Sequence, residues 1–335
     1  VIRPQVSILM AVRNEQAHLP AALASLQAQS LRDWELVAVD DGSRDRTLHL
    51  LRQAAAADPR VRIIPRPPQG LVAGLNTGLR HCRAPLIARM DGDDICHPRR
   101  LELQSLFLRR QSEIGLVATR VRHFPRWRLR DGMRAYEQWQ NEALDHESIM
   151  RELYVESPFA HPSVMMRRSI LLQAGGYRDM GWAEDYDLWL RLARRGVRFA
   201  RLPQSLLYWR DRPQRLTRTA QNCSAEAFRL CKLHHLQRSF LKDEGEVTLW
   251  GAGMEGKAWR RILAQAGVKV TRWVEVDRRK IGQKIHGAPV VPIDALKAGE
   301  GPVLVTVGAR GARSQIRTWS REKGLKEGRD LIFVT

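Results

Sequence analysis

The sequence predicts an α/β protein with a doubly wound, mostly parallel sheet over residues 1–241 and a second, smaller α/β unit over 242–335. Three observations carry this expectation. Short β-rich runs alternate with helix-periodic stretches through the first ninety or so residues. The 335 residues exceed what one hydrophobic core usually serves. A strand followed by a glycine-rich turn then restarts the pattern after the charged Lys242-Asp243-Glu244-Gly245.

The elements follow in order. Residues 6–12 form a continuous apolar run, as a strand buried on both faces requires. A helix over 16–29 has Pro20 in its first turn, where the missing N–H does no harm. Strand 35–40, helix 44–57, strand 61–65, a turn at Pro67-Pro68-Gln69-Gly70, helix 71–82 and strand 85–90 continue the alternation. Right-handed crossovers then place the carboxyl ends of the strands on one rim, where ligands bind. Helix 98–110, strand 115–123, a basic exposed loop at 124–131 and a long polar helix over 135–153 come next. Strand 161–167, an amphipathic helix 185–195 with Leu188, Trp189 and Leu192 inward, two short strands in 198–209, a basic turn at 210–219 and a helix over 220–241 complete the first part. In the second part strands are expected at 246–250, 268–276, 303–307 and 331–334, with a helix opening at Gly251.

The formal charge is strongly positive, 56 basic against 36 acidic side chains, or +20. Such a balance points to an anionic neighbour, a membrane surface or a phosphorylated ligand. No nucleic-acid motif is present, so nucleic acid is not expected as a partner. Cys82, Cys96, Cys223 and Cys231 form no C-x-x-C pair and read as reduced thiols. No apolar run approaches 18 residues, the N-terminal residues lack the apolar core of a signal peptide, and the chain opens on Val1 without Met, as a trimmed chain would. The expected location is the cytoplasm, with peripheral attachment to the inner face of the cell membrane.

Acidic residues cluster at the predicted rim. Asp91-Gly92-Asp93-Asp94 ends the strand over 85–90, and two carboxylates two residues apart in a tight turn can converge on Mg²⁺ or Mn²⁺. A solvated turn with Asp94 helping to cap the next helix would look the same. Asp40-Asp41-Gly42-Ser43 ends the second strand; Asp41 can accept a ribose hydroxyl or base N–H, while Ser43 or Asp45 can cap the following helix. Arg13, Asn14 and Glu15 follow the first strand and can line a nucleotide pocket, or form a polar loop with Asn14 as cap. Glu184 and Asp185 open a helix, where acids complement the dipole or serve as a general base.

Taken together, V-S-I-L-M-A-V-R-N-E at Val6–Glu15, V-D-D-G-S at Val39–Ser43, M-D-G-D-D at Met90–Asp94, H-P-S-V-M-M-R at His161–Arg167, G-G-Y at Gly175–Tyr177 and E-D-Y-D-L-W-L-R at Glu184–Arg191 make the first 240 or so residues resemble a family 2 glycosyltransferase with the GT-A fold. The resemblance implies transfer of a sugar from a nucleoside-diphosphate donor to a glycan or lipid-linked acceptor hydroxyl, with inversion at the anomeric carbon, in cell-envelope polysaccharide or lipopolysaccharide synthesis. It implies that Asp41 contacts the nucleoside, that Asp91 and Asp93 form the D-x-D with Asp93 the direct metal ligand, and that Asp185 is the catalytic base beside Glu184. It also implies that Trp182, Trp189 and Arg191 lie near the acceptor or diphosphate. The Q-x-x-R-W motif of processive synthases is absent, which implies single-sugar transfer. Many relatives carry an arginine–histidine pair near Tyr208–Arg210; here Asp211 and Arg212 stand there.

In the second unit Gly251, Gly253 and Gly256 follow a strand and open a helix, with Glu275 and Asp277 about 20 residues later. This resembles a Rossmann-type nucleotide-binding domain, and E-V-D-R-R-K-I-G with the following G-A-P-V-V also resembles the nucleotide-sugar-binding domain of bacterial sugar O-acyltransferases. The resemblance implies a site for NAD(P) or another nucleotide; glycines that only make a tight turn would give the same pattern. Two alternatives to a transferase stay open. One is an NAD-dependent or nucleotide-sugar-modifying enzyme seated on the second unit, and the other is a non-catalytic nucleotide sensor.

Overall fold

The computed structural model describes residues 4–213, 215 and 220–335. The chain divides into two compact units, residues 1–149 with 158–220, and residues 150–157 with 221–335.

The first unit is built on an eight-stranded sheet. Strands β1 (Val6–Val12), β2 (Trp34–Asp41), β3 (Val61–Arg66) and β4 (Leu86–Arg89) alternate with helices α1 (Leu19–Gln27), α2 (Thr47–Ala57) and α3 (Leu71–His81). Beyond them lie β5 (Ile95–Cys96), α4 (Arg100–Arg110), β6 (Ile114–Phe124), α5 (Asp131–Glu142), α6 (His146–Glu152), whose residues from Met150 on count with the second unit, β7 (Met165–Arg167), α7 (Arg168–Gln173), α8 (Glu184–Arg194) and β8 (Arg198–Arg210). The strand order is β3-β2-β1-β4-β7-β6-β8-β5. The first four strands are parallel; β7 runs antiparallel to β4 and β6, and β5 antiparallel to β8. Every residue of β1 and β2 is buried, as helices on both sheet faces demand. The core runs from Val6, Ile8 and Met10 through Leu36 and Ala38 to Met165 and Leu207.

Several elements differ from expectation for local reasons. The long polar helix breaks into α5 and α6, because Asn141 turns its amide onto the N–H and C=O of Val121 and Asp145 accepts the Ser148 N–H. Residues 198–210 form one 13-residue strand, with register shifts against β6 where two strands were expected. His161–Ser163 is a 3₁₀ turn, and only Met165–Arg167 is strand. Residues 214 and 216–219 of the basic turn lie outside the described residues.

The second unit holds α9 (Ala225–Leu236), β9 (Glu246–Trp250), α10 (Met254–Gln265), β10 (Lys269–Glu275), β11 (Lys284–Ile285), β12 (Ala288–Pro292), β13 (Val303–Val305), α11 (Ala312–Glu322) and β14 (Leu331–Phe333). Its sheet runs β11-β12-β10-β9-β13-β14, parallel except for β11. Helix α9 starts where Ser224 Oγ accepts the Ala227 N–H at 3.2 Å. It belongs with this unit and not, as expected, with the first: Leu233 and Leu236 pack in one core with Val247, Leu249, Trp259 and Trp273.

Candidate active site

The loops after β1 and β2 are laced together by side chains. The Asn14 N–H donates to Ser43 Oγ at 3.0 Å, and the Arg44 N–H donates back to Asn14 Oδ1 at 2.8 Å. The Glu15 N–H reaches Thr47 Oγ1 at 2.8 Å, and Asp45 caps Thr47 at 2.9 Å. Ser43 therefore ties the two loops and does not cap α2. Arg13 is exposed on the same rim.

Asp41 is 4 % exposed. Its carboxylate accepts the N–H of Gln69 at 3.0 Å and of Gly70 at 2.8 Å, and Arg66 Nε lies 3.4 Å away. These bonds pin the turn at 67–70 against the end of β2, so Asp41 acts on this rim as an anchor for that turn.

The turn after β4 brings three acids together. One oxygen from each of Asp91, Asp93 and Asp94 lies within 4.8 Å of the others. Gly92 permits this, since a Cβ there would stand 2.5 Å from Val12 Cγ1. Each carboxylate has its own surroundings. Asp91 pairs with Arg89 Nη2 at 2.6 Å; burial raises it, but the Arg89 charge and hydrogen bond hold it below the usual carboxylate range. Burial and the Asp91 charge raise Asp93, although Arg212 Nε stands 3.0 Å from it. Arg212 also pairs with Glu15. Asp94, buried beside both acids, is pushed well above its ordinary value. Its Oδ1 accepts the Arg210 N–H at 2.7 Å, while its buried Oδ2 has no hydrogen-bond partner among the described residues. Three convergent carboxylates with one orphaned oxygen form a donor set that fits a divalent cation.

The second acidic pair opens α8. Burial raises Glu184, but His161 outweighs it through a hydrogen bond and its charge, and Glu184 is held below its ordinary value. The Nδ1 atom of His161 lies 3.4 Å from Glu184, and its Nε2 lies 3.2 Å from the Tyr177 hydroxyl. Asp185 behaves oppositely: burial, then the neighbouring Glu184 charge, push it up to about 8. The Arg89 charge acts on Asp91, Glu184 and Asp185 alike, so the two acidic motifs share one buried guanidinium.

Arg89, His161 and Tyr177 were not singled out from the sequence for this role. The available signal was an arginine inside an otherwise apolar strand, which must find a counter-ion when buried. Arg212 was noticed only as a departure from a motif.

Two expected site residues are placed elsewhere. Trp189 is 0 % exposed and packs edge-on against Phe159 and His161, because it faces inward on the amphipathic α8. Arg191 is 5 % exposed; it pairs with Asp187 at 2.6 Å and donates to the carbonyls of Ala174 and Gly176. It is a clasp on the Gly175–Tyr177 loop, and neither residue lines the acidic rim. Trp182 donates to Asp187 at 3.3 Å on the same side of α8.

In the second unit a Cβ on Gly256 would overlap the Gly251 carbonyl oxygen, so this glycine lets α10 pack onto the turn. Gly253 has open space where its side chain would be. Glu275 accepts the Ala252 N–H at 2.7 Å and pairs with Lys280 at 3.0 Å, closing the turn from β10. Asp277 pairs with Arg279 at 3.0 Å at the surface.

A mostly parallel sheet flanked by helices, with two acidic motifs that share one buried arginine, defines an α/β fold with an acidic site beside its strand ends. The glycosyl transferase family 2 model matches residues 7–175, and the chain belongs to that family. It is 35 % identical over 213 residues to EpsE of Bacillus subtilis (strain 168), covering 62 % of this chain and 73 % of EpsE. It is 31 % identical to the amylovoran biosynthesis glycosyltransferase AmsE of Erwinia amylovora, covering 60 % and 74 %. With the O-antigen biosynthesis glycosyltransferase WbnJ of Escherichia coli it shares 28 % identity, covering 72 % and 91 %. Among solved structures, S. aureus TarS 1–349 in complex with UDP-GlcNAc superposes with a TM-score of 0.58 at 16 % identity, covering 79 % of this chain and 81 % of TarS 1–349. The mannosyltransferase PcManGT of Pyrobaculum calidifontis, in complex with GDP-Man and Mn²⁺, gives 0.51 at 19 %, covering 79 % and 69 %. The first unit therefore has the GT-A fold, and the chain is a glycosyltransferase.

Proposed function

We propose that the chain is an inverting, metal-dependent glycosyltransferase that moves a sugar from a nucleoside-diphosphate donor to a glycan or lipid-linked acceptor hydroxyl in cell-envelope polysaccharide or lipopolysaccharide synthesis. The observation that carries this is Asp185, a carboxylate raised to about 8 in the same charged cluster as the Asp91–Asp94 turn. A base with its pKa near the working pH combines availability with proton affinity. Relatives named for amylovoran and O-antigen biosynthesis support the pathway class.

In this reading Asp185 takes the proton from the acceptor hydroxyl. The acceptor oxygen then forms its bond to the anomeric carbon from the face opposite the leaving group. The bond from that carbon to the diphosphate oxygen breaks, and the diphosphate leaves with the electron pair. Glu184 is fixed by His161 and keeps Asp185 basic through its charge. Asp91 and Asp93, with Asp94 behind them, would hold Mg²⁺ or Mn²⁺, which supplies charge neutralisation for the leaving diphosphate. Arg13, Asn14 and Glu15 line the donor side, and Asp41 contributes by ordering the turn at 67–70.

The test is a thermal-shift screen of nucleoside diphosphates with and without Mn²⁺. A Mn²⁺-dependent rise in Tm with one nucleoside diphosphate, lost in Asp93→Ala, is expected. A rise that Asp93→Ala leaves intact refutes the assignment of this turn.

The second unit supports a further, Rossmann-like nucleotide site for NAD(P) or a related ligand. The order β12-β10-β9-β13-β14 reverses direction beside β9, from which the glycine turn springs, and Gly253 leaves room there. A metal-independent Tm rise with NAD(P), lost in Gly253→Val, tests it. The +20 charge further supports peripheral attachment at the inner face of an anionic membrane.

A further inference from the structure

We propose that the second unit carries an anion site for a phosphate-bearing ligand, in a cavity beside the edge strand β14. The cavity measures about 330 Å³ and is lined by Arg151, Arg317, Arg321, Lys326, Ser320 and Phe333, among others. None of its lining residues comes from the glycine turn at 251–256.

The charges around it are unequal. Arg317 is satisfied: it pairs with Glu152 at 2.7 Å and Glu327 at 3.0 Å, and its guanidinium lies over the Phe333 ring at 4.7 Å. That triad makes a fixed wall. Arg151, Arg321 and Lys326 are exposed and make no ion pair among the described residues. Three uncompensated cations on one concave surface focus a positive potential that an anion relieves.

A second observation points to a ligand. Ser320 is 4 % exposed, and its Oγ has no hydrogen-bond partner among the described residues. Buried hydroxyls are rarely left so. A phosphate group presents several acceptor oxygens to guanidinium forks, an ammonium and a hydroxyl at once. The volume suits a small phosphorylated molecule or a single headgroup. Leu325, Leu331 and Phe333 supply an apolar wall for its remainder.

The test uses the intact chain in EDTA, so that no metal assists. Pyrophosphate is titrated calorimetrically, and sedimentation is measured with phosphatidylcholine vesicles with and without phosphatidic acid. The double variant Arg321→Ala/Lys326→Ala removes only exposed side chains, and its melting curve checks the fold. Pyrophosphate affinity is expected to fall about tenfold or more in the double variant and about threefold in Ser320→Ala, and to weaken as KCl rises. A parallel loss of phosphatidic-acid-dependent sedimentation identifies a lipid headgroup as the source. Loss of pyrophosphate binding alone identifies a free phosphorylated ligand, and loss of sedimentation alone identifies a headgroup that needs its lipid. If the double variant matches the parent in both measurements, or neither probe binds the parent, the site does not exist.

Discussion

The Asp185→Asn substitution tests the catalytic reading most directly. Asp185 titrates near pH 8, raised first by burial and then by the Glu184 charge. Only the deprotonated carboxylate can accept a proton, so its active fraction is about 0.1 at pH 7 and about 0.9 at pH 9. The parent kcat/KM should therefore climb about tenfold across that interval, with its midpoint near 8. Asparagine cannot act as the base, and turnover should fall about 10²–10⁴-fold with the pH dependence abolished. Stability should move the other way. A carboxylate whose folded pKa lies above its unfolded value stabilises the fold when protonated, and that contribution is lost as pH rises to the folded value. At pH 8 and above the parent holds an unfavourable buried charge that Asp185→Asn removes, so Tm is expected to stay level or rise. Glu184→Gln should shift the rate midpoint to lower pH by removing one cause of the raised value. The assay is release of nucleoside diphosphate under saturating Mn²⁺, alongside thermal melts across the same pH range. A flat profile from pH 6 to 9, or an Asp185→Asn enzyme with parental turnover, refutes the assignment.

Three other expectations bear on the scaffold and the charge. Gly92→Ala should destabilise the first unit by about 1–3 kcal/mol in urea melts and lower turnover, because the new Cβ stands 2.5 Å from Val12 Cγ1 and shifts the acidic turn. Arg191→Ala should cost about 3–5 kcal/mol of stability by leaving the buried Asp187 charge without its guanidinium, while donor KM in the folded fraction stays the same; a raised KM with intact stability would return Arg191 to the donor site. Parent protein should sediment with anionic vesicles and not with neutral ones, and be released by salt; equal sedimentation with both removes the support for membrane attachment.

The acidic motifs were legible because their chemistry is local. Asp91-Gly92-Asp93 and Glu184-Asp185 stand at element ends, where period and turn residues mark the boundary. The glycine in the first motif was visible, but its reason was not, since the atom it makes room for belongs to Val12, some eighty residues earlier. Trp189 was read correctly as inward-facing on its helix, yet its place in a motif drew it toward the ligand. Motif membership does not distinguish a side chain that touches substrate from one that supports the residue that does. Arg191 shows the same: its three partners come from Asp187 and the loop at 174–176.

Alternation of apolar runs with helical periods, and the arrest of those runs in acids, established by sequence alone an α/β chain with an acidic rim and a second α/β unit. Those signals reside in residues within one element of each other, where backbone geometry sets the spacing. Tertiary structure alone placed Arg89 between the two acidic motifs, joined Glu184 to His161, and gave Asp185 its raised pKa. It also turned Asp41 into a loop anchor and brought Arg151, Arg317, Arg321 and Lys326 around one cavity. Burial, charge proximity and the pairing of distant side chains depend on where the chain folds back on itself, and local residue order does not encode them.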